Sequence, residues 1–137
     1  MFIRIVMSIF AFVSVRAYSL EVVIPEYAGC QELSDFEIFD GDELTIEFQG
    51  SGYTPECVIV APGTKVTIMA SSRHPLNALE SFNEFLSPYY LKGDDFYEPQ
   101  LRTLDTSGFY SYFCTRHGDA ETGKGMGGLV WVREQQN

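Results

Sequence analysis

Hydrophobic and polar residues alternate with a period of two in several short runs, which is the pattern of strands with one buried face. The clearest run is ELTIEFQ at residues 43–49, where leucine, isoleucine and phenylalanine occupy every second position. Apolar content and bounding turn residues predict five further strands: Leu20–Pro25, Cys57–Val60, Lys65–Met69, Tyr110–Cys114 and Leu129–Val132. The sequence therefore predicts an all-β fold, best packed as two antiparallel sheets.

The segment APGT at residues 61–64 is typical of a β-turn, because proline pre-sets the first turn angle and glycine accepts a positive φ. It separates Cys57–Val60 from Lys65–Met69. These two strands are therefore predicted to form a hairpin, and the second strand would carry the chain directly to His74.

Residues 76–101 break the strand pattern and predict a short helical or loop insertion. If Asn77–Leu86 is helical, Leu79, Phe82 and Leu86 fall on one face of the helix. Aromatic residues mixed with acidic ones follow, at Tyr89, Tyr90, Phe96 and Tyr97. We interpret the insertion as a packed crossover, with a lid or a partner surface as the alternatives.

The first residues are typical of a secretory signal peptide. Arg4 supplies a positive charge, residues 5–15 are largely apolar, and Val15-Arg16-Ala17 resembles a cleavage site. The apolar run is short for a membrane span, although an uncleaved anchor or a buried first strand remains an alternative. We expect an exported protein, periplasmic, secreted or otherwise extracytoplasmic, without a membrane span once residues 1–17 are removed. Residues 18–137 are expected to form a single domain with its own core.

The chain of 137 residues carries a formal net charge of −10 at pH 7. Removal of the signal peptide would take away two arginines and no acid, which leaves −12. This acidity argues against nucleic acid as a partner, since phosphate contacts need Lys and Arg. It suits a partner with a basic docking surface, because complementary fields speed encounter. Solubility alone is the simpler explanation of the charge.

The most informative segment chemically is GFYSYFCTRHGDAETGKGMGGLVWV, at residues 108–132. It holds Cys114, then His117 three residues later, then Met126 nine residues after that. A thiolate, an imidazole and a thioether are soft ligands that favour copper, and two histidines, one cysteine and a weak axial methionine describe a blue-copper site. His74 supplies the second histidine, and the chain has only these two.

Other chemistries fit this set of residues less well. Structural zinc sites use cysteine and histidine and seldom a thioether. A cysteine–histidine nucleophile is an alternative, but no orienting Asn or Asp stands out in the sequence. Two histidines are too few for a trinuclear copper centre, and a single site cysteine is too few for a thiolate-bridged binuclear one. One mononuclear centre is therefore predicted.

Three cysteines in an exported chain suggest one disulfide and one odd thiol. Cys114 belongs to the predicted metal motif. Cys30 and Cys57 therefore remain to pair with each other. Two free cysteines are the alternative.

Four segments of the sequence, taken in order, resemble the cupredoxins, the family of plastocyanin and azurin. They are GYTPECVIVAPGTKVTI ahead of the first histidine, then RHPL, FYSYFCTRHG and GMGGLVWV. The resemblance extends from about Cys30 to Val132 and is strongest to exported bacterial members with an HPL motif. Each segment alone is weak evidence, but the ordered set is specific.

The resemblance implies a Greek-key β-sandwich that transfers one electron at a time by cycling copper between Cu(I) and Cu(II). It implies that His74, Cys114 and His117 are equatorial ligands and that Met126 is the axial ligand. Similar proteins carry a disulfide near the amino terminus, which fits Cys30 with Cys57. One departure is that eight residues separate His117 from Met126, about twice as many as in plastocyanin-like loops.

These observations predict a mononuclear type 1 copper protein that acts as a soluble one-electron carrier for a redox partner protein. We expect a monomer that is not an enzyme. The alternative is a module that delivers, stores or scavenges copper without redox turnover. A fold used only for protein contacts is disfavoured, because all four types of ligand are present.

Overall fold

The computed structural model describes Ser14, residues 21–78 and residues 95–134. Regular structure in these ranges is almost entirely strand, with one short 3-10 helix at Leu33–Asp35. The strands are β1 (Glu37–Ile38), β2 (Glu43–Gln49), β3 (Gly52–Thr54), β4 (Cys57–Val60), β5 (Thr64–Ile68), β6 (Leu76–Ala78), β7 (Gln100–Leu104), β8 (Gly108–Gly118) and β9 (Gly125–Val132). Within the same ranges, no helix has the length and apolar character needed to cross a membrane.

The strands form two sheets that share one core. The larger sheet has the order β1-β4-β9-β8-β6, and the smaller sheet has the order β3-β2-β5-β7. Buried side chains of both sheets meet between them, among them Ile46 of β2, Val66 of β5, Val60 of β4 and Tyr110 of β8. The prediction of an all-β sandwich is therefore confirmed, and the predicted alternation in β2 places Leu44 and Ile46 in this core.

The prediction of antiparallel pairing throughout is wrong. The pairs β1–β4, β2–β5 and β4–β9 are all parallel. In β4, Val58, Ile59 and Val60 are all buried, so this strand is covered on both faces. A continuous apolar run of this kind is typical of parallel strands, whereas alternation is typical of antiparallel strands with one solvated face.

The predicted turn at residues 61–64 forms, but the predicted hairpin does not. The Thr64 N–H and hydroxyl donate to the Ala61 carbonyl at 3.2 and 2.7 Å, and Gly63 has φ of +90°. However, β4 lies in the larger sheet and β5 in the smaller one. Val60 and Val66 belong to the same core, so the two strands face each other across the core instead of pairing edge to edge.

The predicted first strand, Leu20–Pro25, is absent from its described part, residues 21–25. Val22 and Val23 are 56% and 83% exposed, so the sandwich leaves these two side chains uncovered, whereas Ile24 is partly buried. The next residues form a turn, Tyr27–Cys30, in which Tyr27 and Cys30 form an isolated antiparallel bridge.

This turn packs in a second apolar cluster, on the outer face of the larger sheet. Successive side chains of a strand point to opposite faces of the sheet. The residues of the larger sheet that point away from the main core pack against the Tyr27–Cys30 turn, namely Ile59, Phe109, Leu129 and Trp131. The amino-terminal part of the chain therefore covers the face of the sheet that the smaller sheet leaves open.

Asn77 and Ala78 were predicted to begin a helix, but they belong to β6 and pair with β8. Ala78 is buried in the main core, so tertiary packing prevails over local propensity here. Leu76 also exchanges backbone hydrogen bonds with Phe96, at 2.8 and 2.9 Å. The remainder of the predicted helix lies in residues 79–94, outside the described ranges, as does the predicted signal peptide apart from Ser14.

Candidate metal site

The pairing of β6 with β8 brings the two histidines together. Leu76 lies opposite Cys114 in this antiparallel pair, and the Thr115 N–H donates to the Pro75 carbonyl at 3.0 Å. His74, just before β6, therefore lies beside His117, near the end of β8. Two segments that are distant in sequence meet at one end of the larger sheet.

The carboxyl-terminal part of β8 contains a large bulge. Phe113 lies opposite Gly127 of β9, and Gly118 lies opposite Gly125. The four residues from Cys114 to His117 therefore lie against the single residue Met126. Bulges of this kind bend a strand and re-aim its side chains, and here the bulge carries two of the predicted ligands.

Three ligand atoms form a small triangle: the Sγ atom of Cys114 and the Nδ1 atoms of His74 and His117. The two Nδ1 atoms are 3.2 Å apart. The sulfur lies 3.5 Å from Nδ1 of His117 and 3.9 Å from Nδ1 of His74. The centre of this triangle lies about 2.1 Å from each atom, which is close to metal–nitrogen and metal–sulfur bond lengths in proteins. The three side chains can therefore hold one metal ion together.

The three residues differ in their access to solvent. Cys114 is fully buried, His74 is half-buried and His117 is exposed. Tyr110 and Tyr112 alternate with Cys114 along β8 and are buried in the same core cluster. The sulfur is therefore shielded from water, while one imidazole reaches the surface.

His74 is held against an aromatic ring and is easier to deprotonate than a free histidine. The ring of Phe48 lies 4.8 Å from its imidazole, centroid to centroid. Partial burial lowers the pKa of His74, and the neighbouring His117 and Arg73 lower it further. This favours the neutral imidazole, which is the form that binds a metal.

Met126 begins the apolar part of β9 and is fully buried in the cluster that contains Cys114. The chain closes tightly beside it, because a β-carbon at Gly118 would lie 2.5 Å from the Met126 carbonyl oxygen. The fold thus brings Met126 to the end of the sandwich where the other three predicted ligands lie.

A carboxylate that the sequence did not single out connects β6, which follows His74, with β8, which carries Cys114 and His117. Asp95 accepts hydrogen bonds from the Asn77 amide at 2.8 Å and from the Thr115 hydroxyl at 3.0 Å. Asn77 lies in β6, and Thr115 directly follows Cys114. Only the fold reveals this contact, since the acid-rich sequence offered no reason to prefer one aspartate over another.

The segment of residues 118–125 is termed the ligand loop, since it connects His117 with Met126. Its tip is closed by hydrogen bonds between Asp119 and Lys124 and between Gly123 and Asp119, at 2.9 and 2.8 Å. The Asp119 carboxylate also accepts bonds from the Thr122 N–H, the Thr122 hydroxyl and the Glu121 N–H. These bonds lower the pKa of Asp119, as does nearby Lys124. The additional length of this loop therefore forms an ordered turn.

The cysteines divide into a pair and a single thiol. Cys30 and Cys57 are joined by a disulfide, with their Cα atoms 5.7 Å apart. Cys114 is free and buried. The disulfide links the amino-terminal turn to the first residue of β4.

Two arginines flank the site on its exposed side. Arg73 precedes His74 and Arg116 precedes His117, and both side chains are exposed. Among the described residues the single ion pair is Lys65–Glu43, so neither guanidinium is neutralised by a bonded carboxylate there. An exposed arginine therefore directly precedes each of the two histidines, although the protein as a whole is acidic.

Comparisons with known proteins identify the fold. No protein-family model and no curated protein matches the chain. Among solved structures, a copper-containing nitrite reductase from Thermus scotoductus SA-01 matches with a TM-score of 0.55 and 15% identity, over 82% of this chain and 31% of that one. Pseudoazurin from Methylobacterium extorquens AM1 matches with a TM-score of 0.53 and 19% identity, over 70% of this chain and 79% of that one.

The chain thus spans about a third of the nitrite reductase chain and most of pseudoazurin. At these identities the similarity establishes the architecture. The protein is cupredoxin-like in fold.

Proposed function

We propose that this protein binds one copper ion in a type 1 site and acts as a soluble one-electron carrier. The observation that carries the proposal is the triangle of ligand atoms from His74, Cys114 and His117. Its size suits one metal ion, and its thiolate and two imidazoles are the equatorial donors of blue-copper sites. When bound, copper would supply a Cu(I)/Cu(II) couple at this position.

In this proposal Met126 is the weak axial ligand. Its support is the bulge in β8, which sets Met126 alone against the segment from Cys114 to His117. A buried thioether among apolar side chains is a soft donor, suited to copper and poorly suited to zinc. The donor set thus favours copper over a structural zinc ion.

We assign electron transfer, not catalysis, because protein side chains would fill the coordination sphere. Three strong ligands and one thioether leave no open position of the kind that metal enzymes reserve for water or substrate. The exposed imidazole of His117 offers a short route for an electron between the buried sulfur and a partner at the surface. A copper-containing nitrite reductase shares this fold, so the fold alone does not decide between a carrier and an enzyme.

We also propose that the mature protein is residues 18–137, exported and monomeric, and that it meets a redox partner protein. The disulfide between Cys30 and Cys57 supports an oxidising compartment. The net charge of −10 supports long-range attraction to a partner with a basic surface. Arg73 and Arg116 would then repel basic groups close to His117, so the basic groups of such a partner should surround the contact point.

The direct test is titration of the metal-free protein with Cu(II), followed by visible absorption and EPR. One equivalent should produce an intense thiolate-to-copper band near the red end of the visible spectrum. Cys114→Ser should abolish the band, because an alcohol cannot replace the soft anionic sulfur. Ser111→Ala, a substitution in the same buried strand, serves as the control and should keep the colour. A colourless wild-type Cu(II) complex, or preferential binding of zinc at these residues, would overturn the type 1 assignment.

A second candidate function is copper delivery, storage or scavenging without redox turnover. The exposed His117 favours it to a degree, since a surface ligand is accessible to an acceptor protein. The two functions differ in kinetics: a carrier should exchange electrons rapidly between its Cu(I) and Cu(II) forms while retaining the metal. Rapid loss of Cu(I) to a competing chelator, with slow electron self-exchange, would favour delivery.

A further inference from the structure

The amino-terminal turn Tyr27–Cys30 lies directly against the ligand loop. The Ala28 N–H donates to the Thr122 carbonyl at 2.9 Å, and the Tyr27 hydroxyl donates to the Ala120 carbonyl at 3.3 Å. Both bonds join segments more than 90 residues apart in sequence. The tip of the ligand loop is therefore held from outside as well as by its own turn.

The contact between the turn and the loop is close-packed. At Gly123 a β-carbon would lie 2.5 Å from Cε1 of Tyr27 and 2.7 Å from the backbone nitrogen of Ala28. Tyr27 itself is 1% exposed. The backbone of the ligand loop thus rests on the tyrosine ring without room for a side chain between them. Glycine also suits the φ of +66° at this position.

The Tyr27–Cys30 turn is itself attached to the sandwich. Cys30 is bonded covalently to Cys57 of β4, and Cys57 lies opposite Leu129 of β9. The Leu129 N–H also donates to the Glu56 carbonyl at 2.9 Å. A continuous path of bonds therefore runs from the tip of the ligand loop, through Tyr27 and the disulfide, to the strand that carries Met126.

We propose that Tyr27 and its disulfide-linked turn are positioning elements for the metal ligands: they fix the ligand loop, and with it the His117 and Met126 at its two ends, before any metal binds. Surface loops are ordinarily among the more mobile parts of a fold. A loop ordered in advance does not lose that freedom on binding, which strengthens binding and keeps the ligand geometry constant. The part of this proposal that concerns metal geometry rests on the proposed function, whereas the part that concerns loop order does not.

The alternative is that Tyr27 contributes only to general stability, as a large buried side chain of the outer cluster. Phe109 provides the matched control, since it belongs to the same cluster and packs on Trp131, with ring centroids 4.9 Å apart. It lies at the opposite end of β8 from the ligands. Phe109→Ala should therefore lower global stability without acting specifically on the ligand loop.

The first measurement is amide hydrogen exchange of the metal-free protein, resolved by residue. Tyr27→Ala should accelerate exchange at the Asp119 and Gly123 amides, which close the loop, by about tenfold or more relative to Phe109→Ala. Tyr27→Phe keeps the ring and removes the hydroxyl that forms the longer hydrogen bond, so its exchange should remain close to wild type. If Tyr27→Ala does not fold, Tyr27→Leu retains apolar volume and takes its place. Equal effects of the Tyr27 and Phe109 variants on the loop amides would overturn the proposal.

The second measurement is made with copper bound. Tyr27→Ala should change the copper hyperfine splitting in EPR and accelerate loss of the metal, while Phe109→Ala should leave both unchanged. Accelerated amide exchange with an unaltered copper signal would overturn the claim that the turn positions the ligands. If wild-type protein fails to form a type 1 site, the proposed function fails, and the exchange experiment alone still decides whether the turn orders the loop.

Discussion

The Nδ1 atoms of His74 and His117 lie 3.2 Å apart. At this separation they cannot both carry a proton, because two N–H groups would then point at each other. At least one ring of the metal-free protein therefore presents a lone pair to the space that it shares with the Cys114 sulfur. The fold therefore places together donor atoms that could hold a cation.

The lowered pKa of His74 predicts how the stability of the metal-free protein depends on pH. The folded protein binds fewer protons than the unfolded chain, whose histidines titrate near ~6.5. The free energy of unfolding should therefore decrease as the pH falls through that value. Urea unfolding at several pH values between neutral and mildly acidic would measure the decrease. In His74→Gln the free energy of unfolding should decrease less over the same pH range. An identical decrease in the variant and the wild type would contradict the lowered pKa of His74.

Substitution of Met126 tests the axial ligand. Met126→Leu should keep copper and colour but raise the reduction potential, because loss of an axial electron donor destabilises Cu(II) relative to Cu(I). The expected rise is tens of millivolts, where ~59 mV corresponds to a tenfold change in a one-electron equilibrium. Met69→Leu is the control, since Met69 directly follows β5 and is half-buried. Voltammetry that gives the same potential for both variants would exclude Met126 as a ligand.

The arginines beside the histidines predict a charge preference in electron exchange at this surface. Arg116→Gln should slow reduction of the Cu(II) protein by a small anionic reductant and accelerate oxidation of the Cu(I) protein by a small cationic oxidant, because local charge governs the encounter. Arg133→Gln is the control, since its guanidinium lies over Trp131. Stopped-flow rates at low ionic strength would measure both effects, and raising the salt should reduce them. Equal rates for Arg116→Gln and Arg133→Gln would indicate that electrons enter elsewhere.

Gly128 packs against the phenol of Tyr112 so closely that a β-carbon would overlap the ring. Gly128→Ala should lower the free energy of unfolding by about 2 kcal/mol, a typical cost of overpacking a buried site. Gly52→Ala provides the comparison, because the nearest atom to a β-carbon there is 3.4 Å away. Chemical unfolding should give a clearly lower free energy of unfolding for Gly128→Ala than for Gly52→Ala. Equal stabilities would mean that Tyr112 moves aside at no cost.

The three residues of the triangle, His74, Cys114 and His117, could be singled out from sequence because their chemistry is concentrated in few residues. The chain has only two histidines and three cysteines, so the spacing of Cys114 and His117 on a strand end left few alternatives. The alternation in β2 was equally direct, since each buried position in it follows from period two. Signals of this kind are local, so they can be recognised without knowledge of the fold.

The errors arose where non-local packing decides the structure. The turn at residues 61–64 has hairpin chemistry, yet Val60 and Val66 face each other across the core, so the strands join different sheets. The segment that contains Val22 and Val23 has the apolar character of a strand, but both side chains are exposed. Asp95 and Tyr27 contact the segments around the candidate site only because the fold brings distant segments together. Sequence periodicity does not contain these relationships.

The complete burial of Cys114 has a consequence for oxidative folding. An odd thiolate can attack a disulfide and exchange partners with it, at a rate that depends on access to the sulfur. In this chain the Cys114 sulfur is buried in the core between the sheets, whereas the disulfide between Cys30 and Cys57 lies on the other face of the larger sheet. Scrambling is therefore confined to the unfolded chain, because the completed sandwich keeps the Cys114 sulfur away from the bond between Cys30 and Cys57.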